Sequence, residues 1–164
     1  KLNLLKTQLN DLRIAAYYHD IGKLYIKDNT LLFKTKNLTQ KEFEIIKEHS
    51  TLSYINMKNL GYTEKQALIT HDHHEHLDGT GYPNGKKNKD IAIETRIITV
   101  ADIFDALTTD RVYRSAYSIN DALDIMSTEM KNKIDANIFI HLFDAIKAGE
   151  LKLLLEESKK AINS

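Results

Sequence analysis

The sequence contains no cysteine. Disulfide cross-links and thiolate metal centres are therefore excluded, a composition compatible with a reducing compartment. Proline occurs once, at Pro83, and three of the six glycines, Gly79, Gly81 and Gly85, stand beside it. Long stretches elsewhere carry no breaker, which favours helices over a strand-and-turn fold. Neither sign of charge is in excess: 23 Lys and Arg against 23 Asp and Glu leave a formal net charge of zero. No bulk field therefore draws the chain to DNA or to an anionic membrane. No apolar run approaches the roughly 20 residues that span a bilayer. No secretory signal opens the chain, and no internal repeat or low-complexity segment interrupts it.

What is present is the composition of an ordinary globular domain, 42% apolar and 28% charged over 164 residues. That length supports a single core, so one domain over 1–164 is expected. The first residue, Lys1, already stands inside a helical pattern. We therefore expect an N-terminally truncated piece of a longer protein.

Apolar residues recur at helical spacing in the first segment, Leu2 to Asp20, at Leu5, Leu9, Leu12, Ala15 and Ala16. Gly22 ends that helix, and Ile21 to Leu38 is expected to be a long connection with an apolar Leu31-Leu32-Phe33 patch. Thr39 with Glu42 forms a capping box that opens a second helix, closed by Gly61. Thr63 caps a third helix that runs into a histidine cluster. Asp78 to Asp90 is a turn-rich loop, and Ile93 to Leu107 a buried fourth helix. Ser118 with Asp121, Asp135, and Glu150 to Ala161 mark a fifth, sixth and seventh helix. The expectation is an all-α bundle of six to seven helices with one long Gly-Tyr-Pro loop.

Four of the seven histidines can be placed in one site. His19-Asp20 ends the first helix, His49 lies on the second, and His73-His74 ends the third. Asp102 sits inside the apolar run Ile97 to Phe104. A carboxylate there is expected to be buried, and a buried charge needs a partner or a metal. Singly, each of these residues is more often a packed or solvated side chain than a ligand. A surface metal-scavenging run over His71 to His76 is the plain alternative, and His71-Asp72 offers a competing His-Asp register. Imidazole and carboxylate without thiolate suit iron, manganese or zinc better than calcium or magnesium.

These residues resemble those of a known family. His19-Asp20-Ile21-Gly22-Lys23 is similar to the opening motif of HD-domain phosphohydrolases. His73-His74-Glu75-His76-Leu77-Asp78-Gly79-Thr80-Gly81-Tyr82-Pro83 resembles the H-H-E-x-x-D-G-x-G-Y-P signature of the HD-GYP subfamily. Asp102 to Thr108, followed by Asp110-Arg111-Val112-Tyr113-Arg114, resembles its third motif. The likeness runs from about Arg13 to Ile146. It departs at Lys34-Thr35-Lys36, Ser50, Ala92 and Ile134-Asp135-Ala136, where family members carry other loop residues.

The resemblance implies the HD-domain bundle and a metal-dependent phosphodiesterase. Such an enzyme opens cyclic di-GMP to pGpG or GMP with a metal-bridging hydroxide; some relatives take the mixed cyclic GMP-AMP dinucleotide. It implies His19, Asp20, His49, His73, His74 and Asp102 as metal ligands, with Asp20 bridging two ions, iron or manganese before zinc. Lys23 would neutralise a phosphate oxygen beside Asp20. Arg111 and Arg114 would grip the other phosphate or a guanine edge, and Tyr82 would shape the substrate loop. Glu75 is expected to orient a ligand histidine, with Asp78 and Asp105 in supporting roles. Relatives carry a further histidine ligand, and in three-metal members a glutamate, on a helix well upstream of the His-Asp pair. That position precedes Lys1 here. A module that binds a cyclic dinucleotide or a diguanylate cyclase without turnover is the second reading. The implied partners are a diguanylate cyclase (GGDEF) domain and an N-terminal sensor or receiver domain, with room for a dimer. The implied place is the bacterial cytoplasm, including the cytoplasmic part of a larger or membrane-attached protein.

Overall fold

Helix starts follow the capping signals. Thr39 Oγ1 accepts from the Glu42 amide while the Glu42 carboxylate accepts from the Thr39 amide at 2.7 Å. Thr63 and Gln66 repeat this exchange. Ser118 takes the Asp121 amide, and Asp135 takes those of Asn137 and Ile138. Each cap satisfies donors that a helix leaves orphaned. The computed structural model describes residues 2–111 and 114–150. The helices are α1 (Lys6–Tyr18), α2 (Gln40–Asn59), α3 (Glu64–His71), α4 (Ile93–Thr108), α5 (Ile119–Thr128) and α6 (Ala136–Lys147). Short 3₁₀ turns span Ile21–Tyr25, Asn29–Phe33 and Asn88–Asp90. Among the described residues there is no strand, only an isolated bridge between Arg111 and Arg114. No helix there is long and apolar enough to cross a membrane.

The all-α expectation therefore stands, with boundary corrections. The first helix starts at Lys6 rather than Leu2, and its N-terminal leucines do not enter the core: Leu5 is 68% exposed and Leu9 46%. Only Ala15, with Leu12 against it, joins the buried cluster. The third helix stops at His71, so His73 and His74 lie in the turn beyond it. The Ile21 to Leu38 connection folds into two 3₁₀ turns. The expected seventh helix lies, but for Glu150, outside the described residues.

Helix α4 joins two apolar clusters. Val100 and Phe104 pack with Ala122, Leu123 and Met126 of α5, with Ile138 of α6 and with Ile134. Ile98 packs with Ala15 of α1 and Ile69 of α3. Burying both flanks of α4 holds Asp102 at a fixed height between α1 and the histidine turn.

Gly22 lets the chain approach α2 backbone to backbone. Its amide donates to Ser53 Oγ at 2.9 Å, and that hydroxyl donates to the His19 carbonyl at 2.8 Å. A Cβ on Gly22 would run into the His49 carbonyl and the Ser53 amide. The missing side chain thus sets how near His19 and Asp20 come to His49. Gly22→Ala should lower stability by about 1–3 kcal/mol through overpacking. Denaturant unfolding checks this, and an unchanged midpoint would contradict the close approach.

Candidate metal centre

Three histidines solve the same local problem in the same way. His19 Nδ1 lies 2.8 Å from the Ala16 carbonyl, His49 Nδ1 2.6 Å from Ile46, and His73 Nδ1 2.6 Å from Thr70. A carbonyl can only accept, so each Nδ1 carries the hydrogen and each Nε2 presents a bare lone pair when the ring is neutral. The i−3 spacing puts that carbonyl one helical turn back, where a helix side chain naturally reaches. The backbone itself thus fixes the tautomer that a ligand needs.

The freed nitrogens converge on Asp20. His49 Nε2 and His73 Nε2 stand 3.4 Å apart. Asp20 Oδ1 lies 3.4 Å from the first and 3.8 Å from the second. That oxygen is buried and, among the described residues, has no hydrogen-bond partner. Asp20, His49, His73 and His74 each bring a ligand atom within 4.8 Å of the others. On the other side, His19 Nε2 is 3.4 Å from Asp20 Oδ2 and 3.8 Å from Asp102 Oδ1. His74 Nδ1 is 3.9 Å from Asp102 Oδ2. All six expected ligand residues therefore share one neighbourhood.

Protons do not resolve this crowd of acceptors. Burial keeps His73 neutral, lowering it to about 3, and pushes His49 and His74 down as well. Burial raises the Asp20 carboxyl, but Lys23, donating to Oδ2 at 2.6 Å, and the neighbouring histidines outweigh it, so Asp20 stays ionised. Burial dominates at Asp102 and raises it. An orphaned carboxylate oxygen facing imidazole lone pairs is a donor set that fits a divalent cation, and its nitrogen and oxygen chemistry suits iron, manganese or zinc.

The run from His71 to His76 is not a surface scavenger, because His73 is fully buried. His71 leaves the register by pairing with Asp72 at 2.8 Å, and His76 Nδ1 pairs with Thr80 Oγ1 at 3.2 Å. Thr99 Oγ donates to the His73 carbonyl at 2.8 Å and ties the turn to α4. This link was missed; its one trace is a hydroxyl within an apolar run.

Two clefts meet at the cluster. One, of about 580 Å³, is walled by Lys23, Phe33, Phe43, Tyr82, Asp102 and Arg111 among others. The second, of about 630 Å³, lies between α1 and α4 and shares Asp102, Asp110 and Arg111 with it. Among the described residues, nothing bonds the Arg111 guanidinium. Arg114 lines the first cleft too but differs from Arg111: its guanidinium donates to the carbonyls of Ala106 at 2.6 Å and Ser115 at 3.2 Å and stacks on Tyr117, which caps the end of α4.

Glu75 also differs. It is 1% exposed, and instead of orienting a histidine its two oxygens accept from the amides of Asn84 and Lys86 at 2.7 and 2.8 Å. The backbone carbonyls have already taken the histidine nitrogens, leaving the carboxylate for the loop. Asp78 takes the amide and hydroxyl of Thr80 in a local turn. Asp105 lines the second cleft and accepts from Thr109 Oγ1 at 3.2 Å.

Comparison with known proteins now has a geometry to refer to. A family model described as HD domain matches residues 1–138. A Vibrio cholerae protein named 3'3'-cGAMP-specific phosphodiesterase 3 is 42% identical over 135 residues, which is 82% of this chain and 29% of that one. The Xanthomonas campestris cyclic di-GMP phosphodiesterase response regulator RpfG is 34% identical over 155 residues, 93% of this chain and 40% of the relative. The chain thus spans well under half the length of these relatives. Among solved structures, Bd1817, an HDG"Y"P protein from Bdellovibrio bacteriovorus, superposes with a TM-score of 0.69 at 20% identity, over 86% of this chain and 44% of that one. The fold is therefore shared.

Removing one acceptor should be enough to expose the cluster's purpose. Loss of an outer partner costs a metal site about 10- to 100-fold in affinity. Asp20→Asn, which alters an expected ligand itself, should weaken Mn(II) binding by at least about a hundredfold. Isothermal titration of metal-free protein measures it, and wild-type affinity in the variant would remove Asp20 from the ligand set.

Proposed function

We propose that this chain, which belongs to the HD-domain family, hydrolyses a phosphodiester bond of a cyclic dinucleotide, with cyclic di-GMP as leading substrate and pGpG or GMP as product. The observation that carries this reading is the buried set of unprotonated acceptors around Asp20, placed where two clefts meet. The names of the relatives agree on the substrate class and divide between cyclic di-GMP and cGAMP.

Two ions would be held between Asp20, His49 and His73 and between Asp20, His19 and Asp102, with Asp20 common to both groups. His74 stands beside both Asp102 and the first group. Fe(II) or Mn(II) is our reading, with Zn(II) the other fit. Bound cations supply a Lewis acid for the phosphoryl oxygen and a water acidic enough to ionise near neutral pH. No side-chain nucleophile is required. Opening one phosphodiester consumes one water and leaves a 5′-phosphate on one nucleoside and a 3′-hydroxyl on the other.

The chain's own cations take the phosphate. Lys23 lines the first, apolar-walled cleft beside Asp20 and offsets the carboxylate charge. Arg111 faces both clefts, and its planar fork suits a phosphate or guanine edge bidentately. Arg114 acts at one remove, by holding the segment that carries Arg111 against the end of α4. A GGDEF domain and an N-terminal sensor or receiver domain are proposed only as the context of a parent protein.

Metal-loaded protein incubated with cyclic di-GMP and 3',3'-cGAMP should release linear dinucleotide. Arg111→Ala should lower kcat/KM by roughly ten- to a hundredfold, the worth of one charge-assisted hydrogen bond. Chromatography of the products checks both. Tight binding with no product from either dinucleotide would instead make the chain a cyclic-dinucleotide-binding module.

A further inference from the structure

His74 is the exception among the clustered histidines. His19, His49 and His73 each lock one nitrogen on a backbone carbonyl. Among the described residues, no hydrogen bond engages the His74 ring. Its place is set by neighbouring rings: His73 at 3.9 Å and 42°, and Tyr82 at 4.7 Å and 30°. Tyr82 is therefore the near-parallel partner of the one ligand that the backbone leaves free to turn.

Tyr82 is itself held by an unusual concentration of bonds. Its amide donates to the His74 carbonyl at 3.1 Å. Gly81 lies so close to the His74–His76 backbone that no Cβ fits there. Just beyond, Glu75 takes the amides of Asn84 and Lys86, and the Lys86 ammonium donates to buried Asp72 at 2.6 Å. Asp72 is fixed in turn by His71. Two buried carboxylates, each adjacent in sequence to the pair His73-His74, thus clamp the far end of the loop onto the turn that carries that pair. On its outer side Tyr82 meets Phe43 edge-on at 6.2 Å, with the Lys47 ammonium over both rings.

We propose that the Gly-Tyr-Pro loop is a brace for the metal centre: Asp72 and Glu75 anchor it, and the Tyr82 ring sets the orientation of His74 as a ligand. Tyr82 is in this sense a positioning residue whose working part is the ring face, not the hydroxyl. The inference rests on His74 being a metal ligand.

The test separates ring, hydroxyl and clamp. Metal-free wild-type protein is titrated with Co(II), recording stoichiometry, affinity and the visible d–d bands. Tyr82→Phe keeps the ring and should keep both affinity and spectrum. Tyr82→Leu removes the ring and should weaken binding by about 10- to 100-fold and shift the bands, the range for groups that orient a ligand. Glu75→Gln, which leaves Tyr82 in place but halves its anchor, should shift the same bands with a smaller loss. Wild-type Co(II) affinity and bands in both Tyr82→Leu and Glu75→Gln would overturn the brace, as would a Tyr82→Phe variant as impaired as Tyr82→Leu. If wild-type protein itself binds no Co(II), the metal-centre reading fails instead. Should Tyr82→Leu not fold, as circular dichroism reports, Glu75→Gln and Lys86→Ala decide the matter through the clamp alone.

Discussion

Everything at the centre of this domain is arranged around a deliberate shortage of protons. Asp20 Oδ1 and the Nε2 atoms of His49 and His73 are acceptors that face one another at 3.4 to 3.8 Å. Burial lowers the proton affinity of these rings, and the backbone has already claimed the hydrogen that each neutral ring carries. Such a set of facing acceptors is one that a divalent cation would satisfy, and a metal bound there would couple to folding, because the unfolded chain has no such preformed set.

The helices meet so as to make that shortage. Gly22 brings the His19-Asp20 corner onto α2 with no side chain between, and Ser53 stitches the two together. Thr99 pins the histidine turn to α4, and the apolar packing on both flanks of α4 sets the depth of Asp102. These contacts are individually modest, worth about 0.5–1.5 kcal/mol for a neutral hydrogen bond. Their value is geometric: acceptor atoms of Asp20, His49, His73 and His74, from three separate segments, lie within 4.8 Å of one another.

Polar side chains around the centre divide the work. Backbone carbonyls orient three histidines, and this frees Glu75 and Asp72 to hold a loop. Arg114 closes the end of α4, and Arg111, a few residues earlier, keeps its guanidinium for the clefts. One cleft wall is aromatic and aliphatic, with Phe33 and Phe43 beside Tyr82, while its floor is charged. A flat, apolar-faced, anionic molecule matches that division.

Local signals were legible residue by residue. Capping pairs at Thr39, Thr63, Ser118 and Asp135 marked helix starts because the cap is a contact over three residues. The motif order brought His19, Asp20, His49, His73, His74 and Asp102 forward together, and the fold places them together. The errors share one cause. Leu5 and Leu9 have the right spacing to be buried, yet nothing among the described residues covers them, and periodicity reports a face without reporting a neighbour. Glu75 has the right chemistry to orient a histidine, yet closer partners claim it, and which partner lies closer is a distance between segments. The chain alone determined its helices, its ligand types and their order. Only the tertiary structure decided which acceptors are left without protons, because that depends on which groups the packing of distant segments brings within hydrogen-bond reach.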